Sequence, residues 1–446
     1  MTQKKKQGDF RYAAGDAKVP WHAVGECFTP GDVLEIVRFL MPPGADATEY
    51  RRKLAAVRAG ILALAATSLP ATKLTLGKCV TQAEELARNY LQVKHACLLS
   101  NWTAGMEIGY KLAGLRPGDE VIVPAITFVA TMAYPLTIGA KIVFVDVDPV
   151  TLNLSPEDLA RKITSRTRVI VPVHIGGYAC DMDAIMEIAA AADIWVMEDA
   201  AHALGATYKG RHLGTIGHFG GYSLHEVKNI NSLGEGGLLV SNLALGEQFT
   251  RARFLGLDFS RRIPDWLYDV SALEDRYGRP QVAGNYSVTE LQALGFCLQF
   301  ARLGKIIAKR REHAQFLTKA LAQVPGILPP PADTAETRSS HHLYPLRIDP
   351  KVLGADIRAL KAKLKEKGVT EIAHFGPMYM FRVLEQLGYD RRQWRKSCPN
   401  TEYVFYQGFT HLPLYPMTRE QLEYMAGAVA EAATELRAGA RPRRGR

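Results

Sequence analysis

The sequence has no uninterrupted apolar run of about 18 residues, and so no candidate for a membrane-spanning helix. Lys4, Lys5 and Lys6 near the start are not followed by an apolar core, which argues against a secretory signal. Cysteine is sparse and scattered. The six (Cys27, Cys79, Cys97, Cys180, Cys297 and Cys398) form no CxxC pair, and no histidine cluster stands at metal spacing. This pattern excludes a disulfide framework or a zinc finger and fits a reducing cytoplasm. Neither GxGxxG nor GxxxxGK[ST] occurs, so the dinucleotide and P-loop readings lose their main support. Charge is also less lopsided than the net +10 suggests, because seven of the basic residues lie in terminal runs: Lys4 to Lys6 and Arg441, Arg443, Arg444 and Arg446. Those runs carry no interleaved aromatics, so a nucleic-acid partner is not expected.

What is present is a βαβ rhythm. From about residue 95, seven short apolar segments read as strands: 95–100, 120–124, 141–147, 168–175, 194–198, 220–225 and 237–241. Helical stretches alternate with the early ones, which predicts a three-layer α/β/α fold around a mostly parallel sheet. The last two strands are separated by a Gly-rich stretch instead of a long helix, so one of them is open to running antiparallel. A long helical run over 288–324 and a shorter αβ section then predict a smaller C-terminal domain. The expected organisation is a 1–75 extension with a helical insertion, a 76–300 large domain, a 301–437 small domain and a 438–446 basic tail. The 258–282 segment is longer than an ordinary connection and is read as a loop.

The chemistry concentrates in 196–242. Asp199 ends a buried strand, where it either pairs with a protonated ring nitrogen or caps the next helix. Lys228 follows an apolar strand and precedes Gly234, Gly236 and Gly237, a setting that favours a lowered pKa and Schiff-base chemistry. Ser223, five residues earlier, offers a hydroxyl to an anion. Upstream, 100–105 joins a strand to a helix start. The amides there and the Thr103 hydroxyl form a phosphate site, or else Asn101 or Thr103 is a plain N-cap.

Taken in order, these motifs resemble the DegT/DnrJ/EryC1/StrS family of fold-type I pyridoxal-phosphate (PLP) enzymes, from about residue 74 to 430. The resemblance implies an aminotransferase with Lys228 as the Schiff-base lysine and Asp199 on the pyridine nitrogen. It also implies His202 near the ring, Phe128 stacked on it, and Thr103, Ala104 and Ser223 at the phosphate. Asn285, in Gly-Asn-Tyr-Ser-Val-Thr-Glu, is similar to an asparagine that reaches the phosphate of the neighbouring subunit, which implies a homodimer. The implied reaction moves an amino group from L-glutamate or L-glutamine, through pyridoxamine phosphate (PMP), to a keto-sugar acceptor. The run Thr103-Ala-Gly-Met106 resembles bacterial enzymes that aminate UDP-4-keto-arabinose. His342 and His374 are substrate-side candidates. Two alternatives remain: a PLP/PMP sugar dehydratase, whose known members carry histidine in place of the lysine, and a non-catalytic PLP-binding regulator. Lys228 weighs against the first, and the intact lysine, aspartate and phosphate residues against the second. The sequence departs from the family pattern with Asn101-Trp102 in place of Ser-Gly, and with Ser287 where arginine is usual.

Overall fold

The computed structural model describes residues 26–68, 73–258, 268–370, 375–414 and 416–440. The basic terminal runs and His374 lie outside these residues.

All seven expected strands form and join one sheet. They are β1 (His95–Leu99), β2 (Glu120–Pro124), β3 (Lys141–Val145), β4 (Thr167–Ile170), β5 (Trp195–Asp199), β6 (Phe219–Ser223) and β7 (Gly237–Ser241). The spatial order is β1-β7-β6-β5-β4-β2-β3. β2 pairs in parallel with β3 and β4, β4 with β5, and β5 with β6. Only β7 is reversed, pairing antiparallel with both β1 and β6. Strands covered on both faces need no polar alternation, and β2 and β7 are buried at every position. Helices cover the sheet, among them α3 (Lys78–Leu91), α4 (Trp102–Leu112), α5 (Ala130–Thr137), α6 (Pro156–Lys162) and α7 (Met182–Ala191), after α1 and α2 described below.

The helical run expected over 288–324 is two helices, α8 (Glu290–Phe300) and α9 (Leu303–Leu321). Arg302 leaves the helical region at φ −108° and ψ 1°. Neither Ala301 nor Arg302 is a helix breaker, so the apolar periodicity runs through the break without marking it.

Three buried residues of α9, Ala314, Leu317 and Leu321, belong to a second core around a small antiparallel sheet. Its strands are β8 (Ile327–Leu328), β9 (Tyr344–Ile348) and β10 (Phe409–Leu412), in the order β8-β9-β10. Two helices, α10 (Ile357–Glu366) and α11 (Arg419–Ala440), pack on it through Leu360, Leu364, Leu422 and Val429.

Residues 30–65 belong to a separate compact unit. It contains α1 (Pro30–Leu40) and α2 (Ala47–Ala65). Thr29 and Asp32 form a capping box at the start of α1, and Asp46 caps α2 by accepting from the amides of Thr48 and Glu49. The Tyr50 hydroxyl donates to the Met41 carbonyl at 2.8 Å and ties the two helices together. No described helix is long and apolar enough to cross a membrane.

Candidate active site

In an open parallel sheet the loops at the carboxyl ends of the strands form the binding crevice. Here they surround a cavity of about 840 Å³. Asp199 is the last residue of β5 and Ser223 the last of β6, while Lys228 lies in the turn between β6 and β7. The start of α4 brings in Thr103, and the segment after β2 brings in Phe128. His342, Phe375 and His411, from the C-terminal part of the chain, close the other side.

Alternation along β5 sends Glu198 and Asp199 to opposite faces of the sheet. Glu198 is fully buried away from the cavity. Its Oε1 accepts the amides of Ile216 (2.5 Å) and Gly217 (2.6 Å), and its Oε2 accepts the Gly214 amide (2.8 Å). The His174 ring also meets Oε2 at 3.0 Å. The Cys180 amide meets the other ring nitrogen, Nδ1, at 3.2 Å. Glu198 therefore anchors the turn leading into β6.

Asp199 faces the cavity. Its Oδ1 accepts the Trp102 indole N–H at 2.9 Å and the Ala201 amide at 3.0 Å. Burial raises its pKa, against the pull of those two donors and of the Lys228 cation. For Lys228, burial lowers the pKa to about 8, with Asp199 opposing the shift. A lysine of that kind keeps a large share of neutral, nucleophilic amine at neutral to mildly alkaline pH. Burial, with Lys228 and neighbouring histidines adding to it, also holds His202 and His342 well below the usual histidine value, so both rings are neutral. His202 Nδ1 accepts the Gly176 amide at 3.2 Å, and His342 Nδ1 pairs with Asn229 Oδ1 at 3.0 Å. The His202 ring stacks on His342 at 4.4 Å and on Phe375 at 5.5 Å between centroids.

At the start of α4, Asn101 is the N-cap, its Oδ1 accepting the Ala104 amide at 2.9 Å. The amides of Trp102 and Thr103 remain as first-turn donors beside the exposed Thr103 hydroxyl. Ser223 Oγ accepts the His225 amide at 3.3 Å, which leaves its own proton to donate. These donors suit an anion. Phe128, 58% exposed, offers a bare aromatic face.

Thr103, Phe128, Asp199, His202, Ser223, Lys228 and His342 thus line one cavity. Ala104 does not offer a free amide, because Asn101 takes it. Asn285 does not line the cavity; it is exposed, and its Oδ1 accepts the amide (3.1 Å) and hydroxyl (2.8 Å) of Ser287. Sequence reading passed over His411, which lies in β10, and Arg310, a buried α9 residue whose Nη1 donates to the His342 carbonyl at 3.2 Å. It noted Trp102 only as a departure from pattern. No one-dimensional signal brings β10 or α9 to the ends of β5 and β6. Among the described residues no cluster of His, Cys, Asp and Glu is suited to a metal.

A half-buried lysine of lowered pKa, a carboxylate held at a strand end, an anion-binding helix start and a bare aromatic ring are the parts of a PLP site. The class defined by fold and site is that of the PLP enzymes of aminotransferase fold. The chain belongs to the DegT/DnrJ/EryC1/StrS aminotransferase family, whose model matches residues 57–430. It is 34% identical over 365 residues to a UDP-4-amino-4-deoxy-L-arabinose–oxoglutarate aminotransferase of Shewanella sediminis, covering 80% of this chain and 91% of that one. It is 32% identical over 369 residues to the spore coat polysaccharide biosynthesis protein SpsC of Bacillus subtilis, covering 80% and 90%. Among solved structures it resembles the PMP form of a putative sugar aminotransferase from Streptococcus pneumoniae. The TM-score is 0.72 at 24% identity, covering 89% of this chain and 98% of that one. The protein is a PLP-dependent member of a sugar aminotransferase family.

Proposed function

We propose that the protein transfers an amino group from L-glutamate or L-glutamine to a keto-sugar, taken first as a nucleotide-linked keto-sugar, for cell-surface polysaccharide or secondary-metabolite sugar synthesis in the cytoplasm. The observation that carries the reading is that Lys228 and the buried Asp199 line one cavity at the strand ends. The names of the Shewanella and Bacillus relatives support a sugar acceptor. Bound PLP supplies an electron sink that stabilises negative charge at the substrate carbon. Lys228 would hold the cofactor, and its amine would move the proton at the substrate carbon as base and then acid. Asp199 keeps the ring nitrogen protonated. The amides at the start of α4, with Thr103 and Ser223, hold the phosphate, and Phe128 covers the ring. His202 and His342, being neutral, orient hydroxyl-bearing substrates without adding charge.

The active form in this reading is a homodimer in which Asn285 serves the partner's site. Support comes from the apolar side chains that α8 exposes near it, Leu291, Leu294 and Leu298, and from the exposed Leu233. These lie along one helix face at i, i+3 and i+7.

The test is an absorbance spectrum of the PLP-loaded protein before and after excess L-glutamate or L-glutamine, followed by a screen of keto-sugar acceptors. Conversion of the PLP band to that of PMP, reversed by a nucleotide-linked keto-sugar, is expected. PLP binding without conversion by either donor would contradict the amino-transfer reading and favour dehydration or a regulatory role.

A further inference from the structure

Among the described residues the Asp199 carboxylate receives two hydrogen bonds, both on Oδ1, which leaves Oδ2 for a ligand. The Ala201 amide is the local one, two residues along the chain. The other comes from the first turn of α4, on a different part of the fold. Trp102 is 4% exposed, and its indole N–H reaches Oδ1 at 2.9 Å.

Glycines make the room for that ring. Gly221 on β6 is the register partner of Asp199 on β5. A Cβ at Gly221 would overlap the six-membered ring of the indole, and one at Gly105 would sit 2.6 Å from it. Real Cβ atoms do not approach other atoms so closely, so the indole fits against Asp199 only while both positions lack side chains. The glycine beside Asp199, the glycine one turn into α4 and the tryptophan at its start form a single arrangement.

Trp102 also adjoins Thr103 in sequence. One residue therefore ties the helix start that faces the phosphate to the carboxylate that faces the ring nitrogen.

We propose that Trp102 is a positioning residue for Asp199: its indole N–H holds Oδ1, fixes the carboxylate rotamer and presents Oδ2 to the ring nitrogen of PLP. The proposal rests on the reading of Lys228 and Asp199 as the PLP site. A hydrogen bond to a charged group is among the stronger ones in a protein. Without it the carboxylate gains proton affinity, and the ring nitrogen loses its proton to it. Removing positive charge from the ring raises the proton affinity of the Lys228 nitrogen bonded to it.

The experiment compares wild type with Trp102→Phe and with benzothienylalanine at position 102, which keeps the indole shape and puts sulfur in place of the N–H. The second variant keeps the test decisive if the first is unstable. The readouts are the PLP dissociation constant and the pH midpoint of the visible band of bound PLP. The expected result is PLP binding about ten-fold weaker and a midpoint raised by roughly half a pH unit to one unit in both variants. In an Asp199→Ala background, Trp102→Phe should then add no further loss. Wild-type affinity and midpoint in the benzothienylalanine protein would overturn the proposal. An equal further loss in the Asp199→Ala background would also overturn it, since the ring would then act by packing alone. Failure of the wild type to bind PLP would instead remove the reading on which the proposal rests.

Discussion

At the scale of the residue, the account depends on how the cavity treats Lys228. Only the neutral amine attacks an aldehyde, and burial lowers the lysine pKa to about 8. The rate at which apoprotein captures PLP should therefore rise with pH to a midpoint near 8 and then level. A continued climb toward the ordinary lysine value of about 10.4 would show an unperturbed amine. Lys228→Ala should lower turnover by about 10³-fold or more, the scale of a lost general acid–base group compounded by lost cofactor attachment. Steady-state assays with the best acceptor check it. Lys228, Asp199, Ser223 and Thr103 were legible together through the resemblance of their motifs, taken in order, and all four line one cavity. Trp102 was visible only as an oddity: its meaning depends on Gly221 and Asp199, which lie 119 and 97 positions along the chain. For Ala104 the sequence left two readings, a phosphate site or plain N-capping by Asn101, and the structure shows the Asn101 cap on its amide.

The elements explain why the site is held so firmly. β5 ends with two acidic residues, and the pleat gives them separate tasks. Asp199 serves the cavity, and Glu198 ties down the turn at Gly214, Ile216 and Gly217. Glu198→Gln keeps the shape but sets an amide donor against backbone N–H groups in a fully buried place. It should destabilise the fold by about 2–4 kcal/mol, as for a broken buried charge network; thermal or urea unfolding of the apoprotein measures this. Gly221→Ala should cost about 1–3 kcal/mol through overpacking against Trp102 and the Leu238 carbonyl, and it should weaken PLP binding as well. Strands were the easiest elements to read, because buried parallel strands are short apolar runs bounded by turns. The break between α8 and α9 was not, because neither Ala301 nor Arg302 is a helix breaker and Gly304 lies already inside α9. The reversal of β7 was left open in the sequence, and hydrogen bonding to β1 and β6 decides it.

On the scale of the whole molecule, the fold class followed from the order of elements, whereas the closing of the cavity did not. His411 comes from the small sheet and His342 and Phe375 from segments outside its strands, and the sequence offers no register between these and β5. The proposed dimer belongs to this scale too. A charge placed on the exposed leucines of α8, as in Leu294→Arg, should shift the protein from dimer to monomer and weaken PLP binding, with light scattering as the check. An unchanged dimer would exclude that face as the interface. The measurement that tests the central claim most directly is borohydride reduction of the PLP-loaded protein followed by peptide mass spectrometry. The account predicts a single phosphopyridoxyl group on Lys228, absent from Lys228→Ala. A label on another lysine, with Lys228 unmodified, would contradict it.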